Sequence, residues 1–92
     1  MSNIKNTKWK LFGIYNVIQR DKKDSIFLKS LGERIKQIRK EKGIKQKDLG
    51  YSLDIEKSNM SRIESENSNP TIILLKKIAK ELDISLKELI DL

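Results

Sequence analysis

The sequence predicts an all-α domain of five helices that follows an extra N-terminal segment. Three observations support this fold class. From about residue 24 onward, apolar residues recur every three or four positions, residues that cap or end helices separate these stretches, and the spacing leaves room only for tight connections. Ninety-two residues are enough for one modest hydrophobic core. We expect the extra segment to cover 1–24 and the helical domain to cover 25–92.

The first helix is expected between Asp24 and Lys42. Asp24 or Ser25 can cap its start, and a capping box at 30–33 would allow a later one. Gly43, which follows a run of cations, is a typical C-terminal stop. The apolar positions of this helix are Phe27, Leu31, Ile35 and Ile38.

Two short helices are expected next, from about Gln46 to Leu53 and from about Lys57 to Ser65. Five apolar residues fall where two short crossing helices need them to pack. Gly50 falls where the second helix of this pair passes closest to the first, a place for a very small side chain. The apolar residues are Leu49, Leu53, Ile55, Met60 and Ile63.

Two more helices complete the predicted domain after the polar stretch "SENSNP". Thr71 can cap the fourth helix, and Ser85 with Glu88 forms a second capping box that opens the fifth. The fifth helix buries Leu86 and Leu89. The apolar stripe of the fourth helix is Ile72, Leu75, Ile78, Ala79 and Leu82.

The charge balance favours a polyanionic partner. The formal charge is +7 and the pI about 9.7. Residues 1–24 carry six Lys/Arg against two Asp, net +4, whereas residues 25–92 carry fourteen against eleven acids, net +3. The alternative is that these basic faces are only solvated.

The residue types disfavour an enzyme. The chain has no cysteine and no histidine, its carboxylates lack metal-ligand spacing, and it has no glycine-rich phosphate loop. We therefore expect no catalytic residues, no metal and no cofactor. No apolar run is long enough to cross a membrane and no secretion signal is apparent, so a cytoplasmic protein without membrane association is expected.

The N-terminal segment contains the apolar and aromatic stretch "KWKLFGIYNVI". Its apolar residues fit a strand or a helix, and Gly13 weakens both interpretations. The segment either packs on the helices, contacts DNA as a basic arm through Lys5, Lys8 and Lys10, or binds a protein partner.

Four stretches carry a resemblance to a known family: "LGERIKQIRKEKGIKQKDLG", "NMSRIES", "NPT" and "LLKKIAKELDISLKELI". Through them, residues 31–90 resemble the helix-turn-helix family of phage repressors, Cro proteins and Xre-type bacterial regulators. The resemblance implies a compact lambda-repressor-like domain and a sequence-specific transcriptional regulator of double-stranded DNA. It further implies a repressor acting as a homodimer on a two-fold-related operator.

The third helix is the part that this resemblance places in the major groove. At about 100° per residue, five of its polar side chains project within about 140°, while Met60 and Ile63 point to the core. These five are Lys57, Ser58, Ser61, Arg62 and Ser65. The base contacts that the family implies are Lys57, Ser58, Ser61 and Arg62. The residues expected at the DNA backbone are Gln46, Asn59, Asn67, Ser68 and Asn69.

Other positions match the family or depart from it. Arg39 and Glu64 match a structural ion pair that holds the third helix on the first. Asp54 and Glu66 replace family glycines, although aspartate tolerates a left-handed backbone. Glu56 stands where a Ser/Thr cap is common. It either favours the helix dipole but opposes nearby phosphates, or it accepts a hydrogen bond from a cytosine amino group.

A candidate contact surface is formed by the fourth helix, opposite its core stripe, and by the C-terminus. It meets either a second subunit or the N-terminal segment. The functional alternatives are an antitoxin-like protein-binding module that also binds DNA and a controller of restriction-modification genes. The residues of the contact surface are Ile73, Leu74, Ile90 and Leu92.

Overall fold

The structure, a computed structural model, describes residues 22–65 and 68–92. In these ranges the protein is all-helical, as the sequence predicts. The five helices are α1 (Lys22–Glu41), α2 (Gln46–Ser52), α3 (Lys57–Ser65), α4 (Ile72–Glu81) and α5 (Leu86–Leu89). The expected caps of α1 at Asp24 and Ser25 are wrong, because both residues already lie within the helix. None of these described helices has the length and apolar content to span a membrane.

One hydrophobic core holds the helices together. The most extensive contacts join α1 to α3 and α2 to α3, and α5 packs against α4 and α1. Arg34 of α1 adds a polar link, since its Nη2 donates to the Glu88 carbonyl oxygen at 2.9 Å. The core side chains are Leu31, Ile35, Ile38, Leu49, Met60, Ile63, Leu75, Ile78, Ala79, Leu82 and Leu89.

Two residues expected on apolar stripes are exposed instead. Phe27 is 48% exposed and Ile72 is 56% exposed. On α1 the stripe continues toward the N-terminus through Leu28, which is three residues before Leu31 and packs on the core. Ile72 is the first residue of α4, and burial in that helix begins with the following turn, at Leu75.

Three helices end with the same hydrogen-bond motif. After α1, Gly43 adopts φ +71°, and after α2 and α4 the corresponding residues Asp54 and Asp83 adopt φ +56° and +57°. In each case the next N–H reaches the carbonyl five residues back, as in Ile55 N to Gly50 O at 2.8 Å. Gly43 is thus the expected stop, and Asp54 takes the left-handed conformation, as the sequence suggested it could.

The predicted caps of α4 and α5 are confirmed. The Thr71 hydroxyl accepts from the Leu74 N–H at 3.1 Å. The Ser85 hydroxyl accepts from the Glu88 N–H at 3.0 Å, and the Glu88 carboxylate accepts from the Ser85 N–H at 3.3 Å. These bonds satisfy N–H groups that lack partners inside the helix and so define where each helix begins.

Candidate nucleic-acid interface

Helix α3 has one buried face and one exposed polar face. Met60, Ile63 and Glu64 are buried, with Met60 fully enclosed between α2 and the core. The four residues expected to meet base edges all lie exposed on this nine-residue helix: Lys57, Ser58, Ser61 and Arg62. The helix therefore presents two cations and two hydroxyls to any ligand that approaches its open side.

Two further polar residues of α3 have different settings. The Ser65 hydroxyl donates to the Ser61 carbonyl oxygen at 2.5 Å, so this side chain is turned back onto its own helix. Asn59, expected at the DNA backbone, is exposed at the edge of the polar face. The other exposed residues of α3 lie in its first two turns, between Lys57 and Arg62.

A buried ion pair fixes the orientation of α3. Arg39 Nε donates to Glu64 Oε2 at 2.7 Å and Arg39 Nη2 donates to Oε1 at 3.1 Å, with side chains only 8% and 1% exposed. Arg39 Nη1 also donates to the Ile44 carbonyl oxygen at 2.6 Å. One guanidinium thus connects α1, the turn after it and α3, in a bidentate geometry that specifies direction as well as distance.

Gln46 joins the same network. Its Nε2 donates to Glu64 Oε1 at 3.1 Å, which ties the first residue of α2 to α3. This bond was not apparent from the sequence, where Gln46 was assigned to a DNA phosphate. Since an amide nitrogen has two N–H donors, the second remains for a phosphate, and the backbone contact stays a prediction.

Two glycines let the helices approach closely. A Cβ on Gly50 would lie 2.9 Å from the Ile55 carbonyl oxygen and 3.4 Å from Met60 Cγ, so the need for a very small side chain there is confirmed. The nearest atom belongs to the turn before α3. The close approach at Gly32 was not predicted from the sequence. A Cβ added there would lie 2.6 Å from the Ile63 carbonyl oxygen, where α1 meets α3. The position of Gly32 on the apolar face of α1 was the signal.

The segment before α4 carries the other expected backbone contacts. Ser68 is half-buried and Asn69 is exposed. Asn67, like Glu66, lies outside the described residues, as does the part of the N-terminal segment up to residue 21. For Ser68 and Asn69 the DNA contact is a prediction about side chains that lie just ahead of the α4 N-terminus.

The candidate contact surface is only partly open. Ile73 is 55% exposed, and Ile90 and Leu92 are also exposed. Leu74 is half-buried because it packs against the core, so it contributes an edge to this surface. In the described part of the chain, no three His, Cys, Asp or Glu residues are grouped so as to hold a metal ion.

The comparisons with known proteins agree with this architecture. A family model described as a helix-turn-helix domain matches residues 32–92. The HTH-type transcriptional regulator SinR of Bacillus subtilis (strain 168) is 42% identical over 62 residues, or 66% of this chain and 56% of SinR. SinR of Bacillus licheniformis is 40% identical with the same coverage. The chain thus spans little more than half the length of these curated relatives.

A solved structure shares the fold. The crystal structure of a point mutant of the restriction-modification controller protein C.Esp1396I has a TM-score of 0.64 and 36% sequence identity, covering 72% of this chain and 92% of the controller. The arrangement of α2 and α3 is therefore that of a helix-turn-helix DNA-binding domain. The chain belongs to the Cro/Xre-type helix-turn-helix family, to which both kinds of relative point.

Proposed function

We propose that this protein is a sequence-specific regulator of transcription that places α3 in the major groove of double-stranded DNA. The observation that carries the proposal is the polar face of α3, where Lys57 and Arg62 are exposed while the buried Glu64 is paired with Arg39. Arginine and lysine pair with guanine O6 and N7, and serine hydroxyls bond to several base edges. The similarity to SinR, named a transcriptional regulator, supports it.

The contacts to the DNA backbone extend on both sides of α3 in this proposal. Gln46 donates its second amide N–H to a phosphate, at the start of α2, which no side chain caps. The remaining backbone contacts are Asn59, Asn67, Ser68 and Asn69. Such contacts set the register of α3 in the groove, while the base contacts carry the sequence information.

The regulator acts in this proposal as a homodimer and as a repressor. One helix of this length reads only about four or five base pairs, too few for a unique site. Two copies related by a two-fold axis read two half-sites about one turn apart. The exposed Ile73, Ile90 and Leu92 supply apolar area for that contact.

Selection of bound sequences from random double-stranded DNA tests the proposed function. We expect a two-fold-symmetric motif of two short half-sites. Binding that depends strongly on salt and enriches no sequence would overturn the specific-regulator proposal, because electrostatic attraction to phosphates alone carries no sequence information.

Arg62→Ala is expected to weaken binding to the selected operator about tenfold or more and to relax preference at the base pair that Arg62 reads. Lys87→Ala is the control, because Lys87 is also exposed but lies on α5, which packs on α1 and α4. Competition titrations against single-base operator variants measure both effects. Equal losses on operator and random DNA would assign Arg62 to the backbone instead.

Ile73→Glu is expected to raise the dissociation constant of the dimer about tenfold or more, because the substitution places a charge in an apolar contact. Lys76→Glu, an exposed change in the same helix, serves as the control. Analytical ultracentrifugation with a melting curve distinguishes the occupants of this surface. If Ile73→Glu melts like the native protein but sediments as a monomer, Ile73 lies in the dimer contact. If the variant loses stability without a change in mass, Ile73 packs against the N-terminal segment.

Control of restriction-modification genes is a second candidate within the same class. The observation that favours it is the 36% identity and shared fold with C.Esp1396I. Locating the selected motif in the genome tests it: a site upstream of restriction and modification genes is expected for a controller, and sites only upstream of unrelated genes would exclude that role.

A further inference from the structure

Glu56 stands at the N-terminal tip of the helix that carries the proposed base contacts. Its carbonyl oxygen accepts the Met60 N–H at 2.9 Å, which makes it the residue immediately before the first turn of α3. Its side chain is exposed, next to the exposed Lys57. The helix tip therefore presents a carboxylate acceptor and an ammonium donor side by side.

The carboxylate of Glu56 has no partner within the described ranges 22–65 and 68–92. It makes no hydrogen bond to the first-turn N–H groups of Ser58 or Asn59, as a capping side chain would, and no ion pair with Lys57. In contrast, Thr71 and Ser85 cap their helices through their side chains. A structural bond therefore does not account for the carboxylate at this position.

The chemistry of the major groove limits what this carboxylate can bind. A carboxylate only accepts, and phosphates and the N7 and O6 atoms of purines are acceptors as well. The donors in the groove are the exocyclic amino groups of cytosine and adenine. Adenine carries its N7 acceptor beside the amino group and would repel a carboxylate, whereas cytosine has no acceptor on its groove edge.

We propose that Glu56 determines specificity by accepting a hydrogen bond from the N4 amino group of a cytosine in each half-site. This inference rests on the proposed function, since it requires α3 to lie in the major groove. It deepens that function by assigning one base of the operator to one residue. Repulsion between Glu56 and phosphates then lowers binding to DNA that lacks the cytosine, so the residue acts by attraction and by exclusion.

The test is a specificity exchange at one base pair. Operators are selected from random DNA by the native protein, by Glu56→Gln and Glu56→Ala, and by the control Asp48→Asn. Asp48 is an exposed carboxylate on α2, away from the tip of α3. We expect cytosine to be preferred about tenfold at one position by the native protein and by Asp48→Asn. Glu56→Gln is expected to prefer adenine there, because an amide pairs with adenine N6 and N7, and Glu56→Ala to show no preference.

The outcomes separate this inference from the proposed function. Melting curves establish that each variant is folded. If the native protein selects a motif but both Glu56 variants select the same motif with tighter binding, Glu56 only repels phosphates and the inference is overturned while the regulator remains. If the native protein selects no motif, the proposed function fails and the inference with it.

Discussion

Glu64→Ala is expected to lower the free energy of unfolding by about 3 kcal/mol or more, which is a large part of the stability of so small a domain. The substitution removes both bonds from Arg39 and the bond from Gln46. It also leaves the Arg39 guanidinium buried without a counter-charge, although the Ile44 carbonyl oxygen still accepts from it. Urea denaturation followed by circular dichroism measures the loss.

The matched variants separate the ion pair from simple truncation. Glu41→Ala, an exposed carboxylate of the same helix as Arg39, is expected to change the free energy by less than about 0.5 kcal/mol. The double variant Arg39→Met with Glu64→Leu should be more stable than Glu64→Ala, since no charge stays buried. It remains below the native protein, because the Ile44 carbonyl loses its donor. A double variant no more stable than Glu64→Ala would contradict this coupling.

The polar face of α3 could be predicted because a few residues determine it. Met60 and Ile63 are apolar at helical spacing, and once they point to the core, Lys57, Ser58, Ser61 and Arg62 must point outward. The same reasoning predicted the caps at Thr71 and Ser85, whose signals lie within four residues of sequence. Local periodicity and local hydrogen bonding were sufficient for these features.

Three helices end in the same left-handed motif, although the sequence predicted a stop only after the first of them. That stop is Gly43, whereas Asp54 replaces a glycine of the family pattern. In the structure both residues, like Asp83, are followed by an isoleucine whose side chain packs on the core and whose N–H closes the motif. The pairs at 43–44, 54–55 and 83–84 therefore form the same C-terminal helix motif three times. Glycine takes the left-handed position in the first pair and aspartate takes it in the other two.

The bond from Gln46 to Glu64 could not be predicted because it depends on how α2 crosses α3. These residues are 18 positions apart, and no spacing rule relates their side chains. Phe27 illustrates a similar limit: its spacing fits the stripe of α1, but the core does not extend far enough to cover it, and Leu28 packs there instead. Contacts between elements decide such cases.

Gly32→Ala is expected to destabilise the domain by about 2 kcal/mol, despite the helix propensity of alanine. In an open site this change would stabilise α1 by about 1 kcal/mol. Here the new Cβ would lie 2.6 Å from the Ile63 carbonyl oxygen and 3.1 Å from that of Glu64. Backbone atoms of α3 cannot rotate away as a flexible side chain does, so α1 and α3 must separate along the interface that holds the buried ion pair.

The consequence extends to the exposed face of α3, since α1 and the Arg39–Glu64 pair set its direction. Thermal denaturation of Gly32→Ala should show a melting temperature lower by about 8–16 °C, at about 4–8 °C per kcal/mol for a domain of this size. Lys29→Ala, an exposed change in the same helix, is the control. Operator affinity, measured well below the melting temperature, should fall as well, because a displaced α3 no longer meets the groove in register. A Gly32→Ala variant that melts at or above the native temperature would show that α1 and α3 are not in close contact at this position.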